Sequence, residues 1–268
     1  MVTIRSILVK TSSMNFFGSG IAAEKYATGR PDFHANTISR VRDFLSINGK
    51  LPKALDIACG NGLSTKALLP LADKVYGTDI SKEMLNRAHE KEKIHYAIAT
   101  AEKQPFDNGV FDLITVSSGV HWFNIGPFLM EANRLLKNKG WLVIYENFFA
   151  GEMEGRDEFK NWVNDVYLQR FPSPPRNKNY DWSVSNLRSI NFTIHMPENF
   201  KNQVTFNRMQ LINYFATQSN IIVAVENGKF TYAEIEQWLD EELSAYFDDE
   251  TTTRIVYYGN WIKYLQKM

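Results

Sequence analysis

The sequence predicts an α/β fold built on a mostly parallel sheet, from three observations. Short apolar runs alternate with stretches of helical periodicity from about Arg40 to Asn147. Small residues gather where the first run gives way to the first helix, at Ala58-Cys59-Gly60-Asn61-Gly62. After Gly151 the rhythm changes, so an appended region follows the alternating core. Strands separated by short helices need crossover connections, and these make neighbouring strands parallel.

The elements follow in chain order. Residues 53–58 form a compact apolar run between Pro52 and Gly60, and 64–72 then show helical spacing. Residues 74–79 give a second strand, after which Ser81 can N-cap a helix over 82–92. Three more strands are expected at 94–99, 111–117 and 141–146. Between the last two, Leu129, Ala132, Leu135 and Leu136 share one helical face, and Gly140 ends that segment. Residues 159–171 read as a helix stopped by Pro172, Pro174 and Pro175. Strands near 203–206 and 253–263 flank helices at 210–218 and 231–247. A single domain over 1–268 is expected, with its core at about 34–150, a lid at about 151–203 and closing elements at about 204–268.

Composition narrows the function. Thirty Lys and Arg offset thirty Asp and Glu in 268 residues. Such a balance gives no field to steer the chain toward phosphate backbones or anionic lipid, so nucleic acid and membrane are not expected partners. The single cysteine, Cys59, excludes an intrachain disulfide framework and an all-cysteine metal site. Apolar runs such as 221–225 are far shorter than the roughly 20 residues of a membrane span. The first ten residues carry Arg5 and Lys10 and lack the pattern of a secretory leader, so a cytoplasmic address is expected.

The small-residue turn carries the functional argument. Glycine there lets backbone approach a ligand and adopt positive φ. In an open α/β sheet such a turn lies at the carboxyl edge, where ligands bind. Asp79 ends the second strand, 17 residues after Gly62, where a carboxylate can accept both hydroxyls of a ribose. A phosphate-binding P-loop needs G-x-x-x-x-G-K-[ST], which no stretch supplies. A nicotinamide or flavin fingerprint needs a third small residue where Thr65 stands. S-adenosylmethionine has no pyrophosphate and ends in an amino acid, so Asp56 just before the turn suits it, whereas phosphate would be repelled.

On these residues the chain resembles the class I S-adenosylmethionine-dependent methyltransferases over about 26–144. Asp56 with Ala58, Cys59, Gly60 and Gly62 looks like the acidic-x-Gly-x-Gly-x-Gly motif, with Ala58 replacing the first glycine. Asp79-Ile80-Ser81 matches the ribose-binding acid and its neighbours. Thr100-Ala101-Glu102-Lys103-Gln104-Pro105-Phe106 looks like the segment beside the adenine, with Gln104 in place of leucine. Phe111-Asp112-Leu113-Ile114 and Arg134-Leu135-Leu136-Lys137 match the fourth strand and the helix before the fifth. Ser117-Ser118-Gly119-Val120-His121-Trp122-Phe123 and Tyr26-Ala27-Thr28-Gly29-Arg30-Pro31 resemble the type 11, trans-aconitate-like small-molecule branch.

The resemblance implies a Rossmann-like seven-stranded, mostly parallel, doubly wound sheet with helices on both faces and a lid insertion. It implies S-adenosyl-L-methionine as cofactor, S-adenosyl-L-homocysteine as product and a small-molecule methyl acceptor. It also implies cofactor contacts from Tyr26, Arg30, Asp56, Ala58, Cys59, Gly60, Gly62, Asp79, Ile80, Ala101, Glu102 and Ser117. His121 is the candidate catalytic base, against the plainer reading that it orders Trp122 and its loop. A monomer or homodimer is expected. The lid and residues 16–30 would cover the cofactor.

Plainer roles suit the other polar residues. Cys59 reads as a packed thiol, and Asp112 as the start of its strand. His34, His89, His95 and His195 are scattered singles without metal-ligand spacing, so no metal is expected. An acidic acceptor would call on Arg30, Arg176 or Arg188, whereas Phe16, Phe17, Trp122, Phe123, Phe148 and Phe149 would wall in a ring. The number of aromatics favours the ring. The competing functions are a cofactor-binding partner without turnover and a protein or tRNA methyltransferase; the absence of a basic run counts against tRNA.

Overall fold

The structure is a computed structural model that describes residues 20–88, 93–176 and 180–268. The opening ten residues, Phe16, Phe17, His89 and the end of the helix expected over 82–92 lie outside the described residues. Strands β1 (Leu51–Ile57), β2 (Ala72–Asp79), β3 (Ile94–Ile98), β4 (Phe111–Ser117) and β5 (Leu136–Met153) are parallel, in the order β3-β2-β1-β4-β5. Three later strands follow: β6 (Phe192–Ile194), β7 (Glu198–Asn207) and β8 (Thr253–Lys267). β8 runs antiparallel along β5, and its other edge pairs first with β7 and then, near its end, with β6. The seven-stranded path β3-β2-β1-β4-β5-β8-β6 is the expected sheet, and β7 adds an eighth strand beside β8.

The pleat explains the two covered faces. Leu55 and Ile57 of β1, Ile114 and Val116 of β4, and Leu142 and Ile144 of β5 share one core, packed under α5 (Ile125–Leu135). The intervening Ala54, Leu113, Val143 and Tyr145 point the other way, into a core with Ile38 and Val41 of α2 (His34–Phe44). Residues that alternate between two buried faces make these strands read as continuous apolar runs. Helices α1 (Gly20–Gly29), α3 (Leu63–Ala67) and α4 (Lys82–Leu85) complete this half. The helix expected over 64–72 stops at Ala67, because Ala72 already begins β2.

A third core lies beyond the sheet. It gathers α6 (Glu158–Trp162), a π-helical turn over Val163–Tyr167, α7 (Leu168–Arg170), α9 (Arg208–Ala216), α10 (Ser219–Glu226) and α11 (Tyr232–Leu243) onto Met153, Val256 and Tyr258 of β5 and β8. α8 (Val184–Ser189) leads into β6. The rhythm break at Gly151 is a bulge inside β5, where Gly151 has φ 68°, and the strand continues to Met153. The expected lid over 151–203 therefore divides. Its first part joins the helical cap, while β6 and most of β7 lie in the sheet, and α9 to α11 of the cap lie after it. No helix among the described residues is long and apolar enough to cross a membrane.

Candidate active site

The turn after β1 places three residues in left-handed backbone, Ala58 (φ 57°), Gly60 (φ 56°) and Gly62 (φ 82°). A side chain at Gly62 would begin 2.2 Å from the Tyr96 hydroxyl, so that position requires glycine on two counts. Ala58 holds the same kind of conformation with a Cβ present, a local strain of about 1–2 kcal/mol. Cys59 donates its backbone N–H to Thr78 O at 3.0 Å, tying the turn to β2. Its thiol is buried, and burial together with Asp56 and Asp79 pushes its pKa well up, so it is an inert packed thiol.

The structure moves Asp56 away from the expected ligand contact. The pleat puts Asp56 on the same face as Ala54, under α3, with no exposed surface. Its carboxylate accepts hydrogen bonds from Ser64 Oγ at 2.5 Å, Thr65 Oγ1 at 2.8 Å and Thr115 Oγ1 at 2.9 Å. Burial raises its pKa to about 6 against the pull of those three donors. Asp56 thus clamps β1, α3 and β4 together beneath the turn.

Asp79 sits where β2 ends, half-buried. Oδ2 accepts from Gly60 N and Oδ1 from Ser81 N, each at 2.8 Å. Each oxygen keeps a second lone pair, so the carboxylate can still receive two hydroxyls. Ile80 beside it and Ile98 at the end of β3 are 46% and 58% exposed, an apolar ledge at the open edge of the turn. Ala101 is packed in the α5-side core. Glu102 accepts from the backbone N–H of Asn124, the cap residue of α5, at 2.8 Å.

Above the turn lies a partly open cleft with a volume of about 60 Å³. Of the expected residues, Tyr26, Arg30, Ala58, Cys59, Gly60 and Ser117 line it. Arg30 is held between rings, its guanidinium carbon 4.7 Å from the centre of Tyr26 and 5.2 Å from that of Tyr214. One of its nitrogens donates to Thr217 O at 3.2 Å, Nε is buried without a partner, and no carboxylate among the described residues pairs with it. A permanent cation therefore sits at the cleft with part of its hydrogen-bonding capacity open.

Among the further lining residues, Phe33, His34 and Asn147 lie outside the motifs read from the sequence. His34 stands four residues after Arg30, and that proximity was the available signal. His121, by contrast, does not line the cleft. It lies in a single helical turn over Val120–Trp122, its Nδ1 buried without a hydrogen bond and 3.8 Å from Glu146 Oε1. Arg176 takes the same Glu146 oxygen at 3.3 Å, and burial plus that cation lowers the His121 pKa to about 4. The expected aromatic wall is also elsewhere. Phe123 packs on Phe128, Phe149 packs into the cap, and neither Trp122 nor Phe148 reaches the cleft. Arg188 is exposed on α8, which leaves Arg30 as the arginine at the cleft.

Known proteins resemble this chain in sequence and in fold. A family model described as a methyltransferase domain matches residues 55–144. A Dictyostelium discoideum protein described as a methyltransferase is 32% identical over 126 residues, 47% of either chain. A malonyl-[acyl-carrier protein] O-methyltransferase of Legionella pneumophila is 34% identical over 98 residues, 34% of either chain. The matched stretch thus spans at most about half the length of these curated relatives. The structure of a type II methyltransferase from Anaeromyxobacter dehalogenans superposes with a TM-score of 0.65 at 19% identity, over 84% of this chain and 94% of that one, and shares its fold.

Proposed function

We propose that this chain, whose residues 55–144 match a methyltransferase domain, is a class I S-adenosylmethionine-dependent methyltransferase that transfers a methyl group to the oxygen or nitrogen of a small molecule. The observation that carries the reading is the cleft itself, a left-handed backbone turn facing an arginine without a carboxylate partner. Arg30 would take the amino-acid carboxylate, Asp79 the ribose hydroxyls, and the ledge of Ile80 and Ile98 the base. When bound, the cofactor supplies an electrophilic methyl on a sulfonium that is its own leaving group. The chain's part is to align a nucleophile with that methyl, and positioning of this kind is worth several kcal/mol.

The O-methyltransferase relative supports oxygen as the site of methylation, and the neutral charge balance of the chain suits a small acceptor better than nucleic acid. The test is incubation with methyl-labelled S-adenosylmethionine and a metabolite extract, followed by identification of the labelled product by mass spectrometry. A labelled small molecule is the expected outcome. Label found only in protein or RNA would replace the acceptor class, and cofactor binding without any transfer would favour a non-catalytic partner.

A further inference from the structure

We propose that His34 is the proton acceptor for the methyl acceptor and that Asn147 beside it holds that acceptor through a free amide N–H. The acceptor is then a neutral molecule whose O–H or N–H is deprotonated as it is methylated. This rests on the methyltransferase reading and assigns the residues that activate the second substrate.

His34 opens α2 and lines the cleft. Its Nδ1 lies 3.0 Å from the Tyr145 hydroxyl, which fixes the ring. Nε2 makes no hydrogen bond among the described residues and is left for whatever fills the cleft. Asn147, at the same cleft, is 9% exposed, and its Nδ2 is buried without a partner. The orientation of that amide is set from behind. Asn147 Oδ1 accepts from Asn202 Nδ2 at 3.4 Å, and Asn202 Oδ1 accepts from Asn36 Nδ2 at 2.5 Å. A row of amides from α2 through β7 to β5 therefore leaves the Asn147 donor as the open end. A buried donor without a partner is costly, so an acceptor oxygen or nitrogen seated there would recover a bond.

The chemistry balances. A lone pair on the acceptor forms the new bond to the methyl carbon while the S–CH3 bond breaks and its electron pair stays on sulfur. The acceptor's proton passes to His34 Nε2, and the imidazolium then loses it to solvent. The O–H or N–H becomes strongly acidic as the new bond forms, so a weakly basic imidazole suffices. Burial, with Arg30 beside it, lowers the His34 pKa to about 4 against the pull of Asp32, which keeps the ring neutral at physiological pH. The titratable and charged groups around the ring are Tyr26 on α1, Arg30 just after it, Asp32 before α2, and Tyr145 on β5, with Asp56 acting on Tyr145 from β1. Burial pushes the Tyr145 pKa well up, so its hydroxyl stays protonated, and its oxygen accepts the His34 Nδ1–H, the tautomer that leaves Nε2 free to take a proton.

The test measures total label passed from methyl-labelled S-adenosylmethionine to a small-molecule extract, so the acceptor need not be identified. His34→Asn, which can keep the bond to Tyr145, is expected to lower incorporation at least 100-fold at pH 7.5. Its affinity for S-adenosylhomocysteine should stay within about threefold of wild type, which also reports that it folds. Between pH 7 and 9 its residual rate should rise with pH while the wild-type rate stays level. Asn147→Leu should cut incorporation at least tenfold at unchanged S-adenosylhomocysteine affinity, and His95→Gln on the outer strand should match wild type. Full incorporation by His34→Asn overturns the proposal, and so does loss of its S-adenosylhomocysteine binding, which would make His34 a cofactor-site residue. Wild-type protein that binds S-adenosylhomocysteine yet transfers no label overturns it too. Wild-type protein that binds no S-adenosylhomocysteine overturns instead the reading beneath it.

Discussion

The turn over 58–62 and the helical cap that backs Arg30 reach the same cleft by different means. At the turn the backbone is decisive. Three left-handed residues and the amides bonded to Asp79 shape the surface, and few side chains take part. In the cap, side chains are decisive. Phe159, Trp162, Tyr167, Tyr214, Phe215 and Tyr258 interlock, and Tyr214 forms one side of the Arg30 sandwich. The first region tolerates almost no change of residue type and is written in a short motif. The second depends on volume and leaves no such signature. α1 bridges the sheet half and the cap, through Arg87 Nη2, just after α4, to Gly20 O at 2.7 Å on one side and Lys25 to Glu236 on the other.

The largest expected effect lies in the cap. Phe215 has no exposed surface and contacts Phe149, Trp162 and Tyr167, so Phe215→Ala should cost about 3–5 kcal/mol in urea unfolding. Because β5 and β8 run through both regions, the sheet and the cap should unfold together. A separate early transition would mean that the cap is an independent unit.

The next effect is an acid sensitivity. The folded His121 pKa, about 4, lies below the ordinary 6.5, so the unfolded chain takes the proton more readily. Stability is therefore lost as pH falls from about 6.5 to about 4, by roughly 3 kcal/mol for this group. His34 adds a loss of the same sign. Asp56, raised to about 6, acts oppositely, since its contribution is full below about 4 and fades as pH rises through 6. His121→Gln should thus narrow the stability difference between pH 7 and pH 4.5, while an unchanged difference would contradict the burial argument.

The smallest effect sharpens the turn. Ala58→Gly relieves the left-handed strain but adds unfolded-state entropy, so a net gain of about 0.5–1 kcal/mol is expected from thermal melting. A loss would show that the Ala58 Cβ contributes packing, for instance against Gly119.

These contrasts explain what was legible in the sequence. The central strands could be read because β1 and β4 each contain a four-residue stretch buried on both faces, whereas edge strand β3, with His95 and Ile98 exposed, was marked by its position between turns. The glycine turn and Asp79 could be read because backbone geometry restricts residue type at those positions. Asp56 could be found but not placed, since its partners Ser64, Thr65 and Thr115 come from two other elements. The break at Gly151 was visible, but a bulge that lets a strand continue looks the same in sequence as a strand end. His34 looked like an isolated histidine because Tyr145 is 111 residues away. The cap aromatics, spread from Phe159 to Tyr258, have no period to betray their common core.

The most direct measurement is equilibrium binding of S-adenosylhomocysteine to the wild-type chain and to Asp79→Asn, with melting temperatures recorded for both. Wild type should bind, and Asp79→Asn should bind about 10- to 100-fold more weakly at a similar melting temperature, the loss expected for charge-assisted bonds to the ribose. Equal affinity of the two proteins, or no binding by wild type, would contradict the assignment of the cleft.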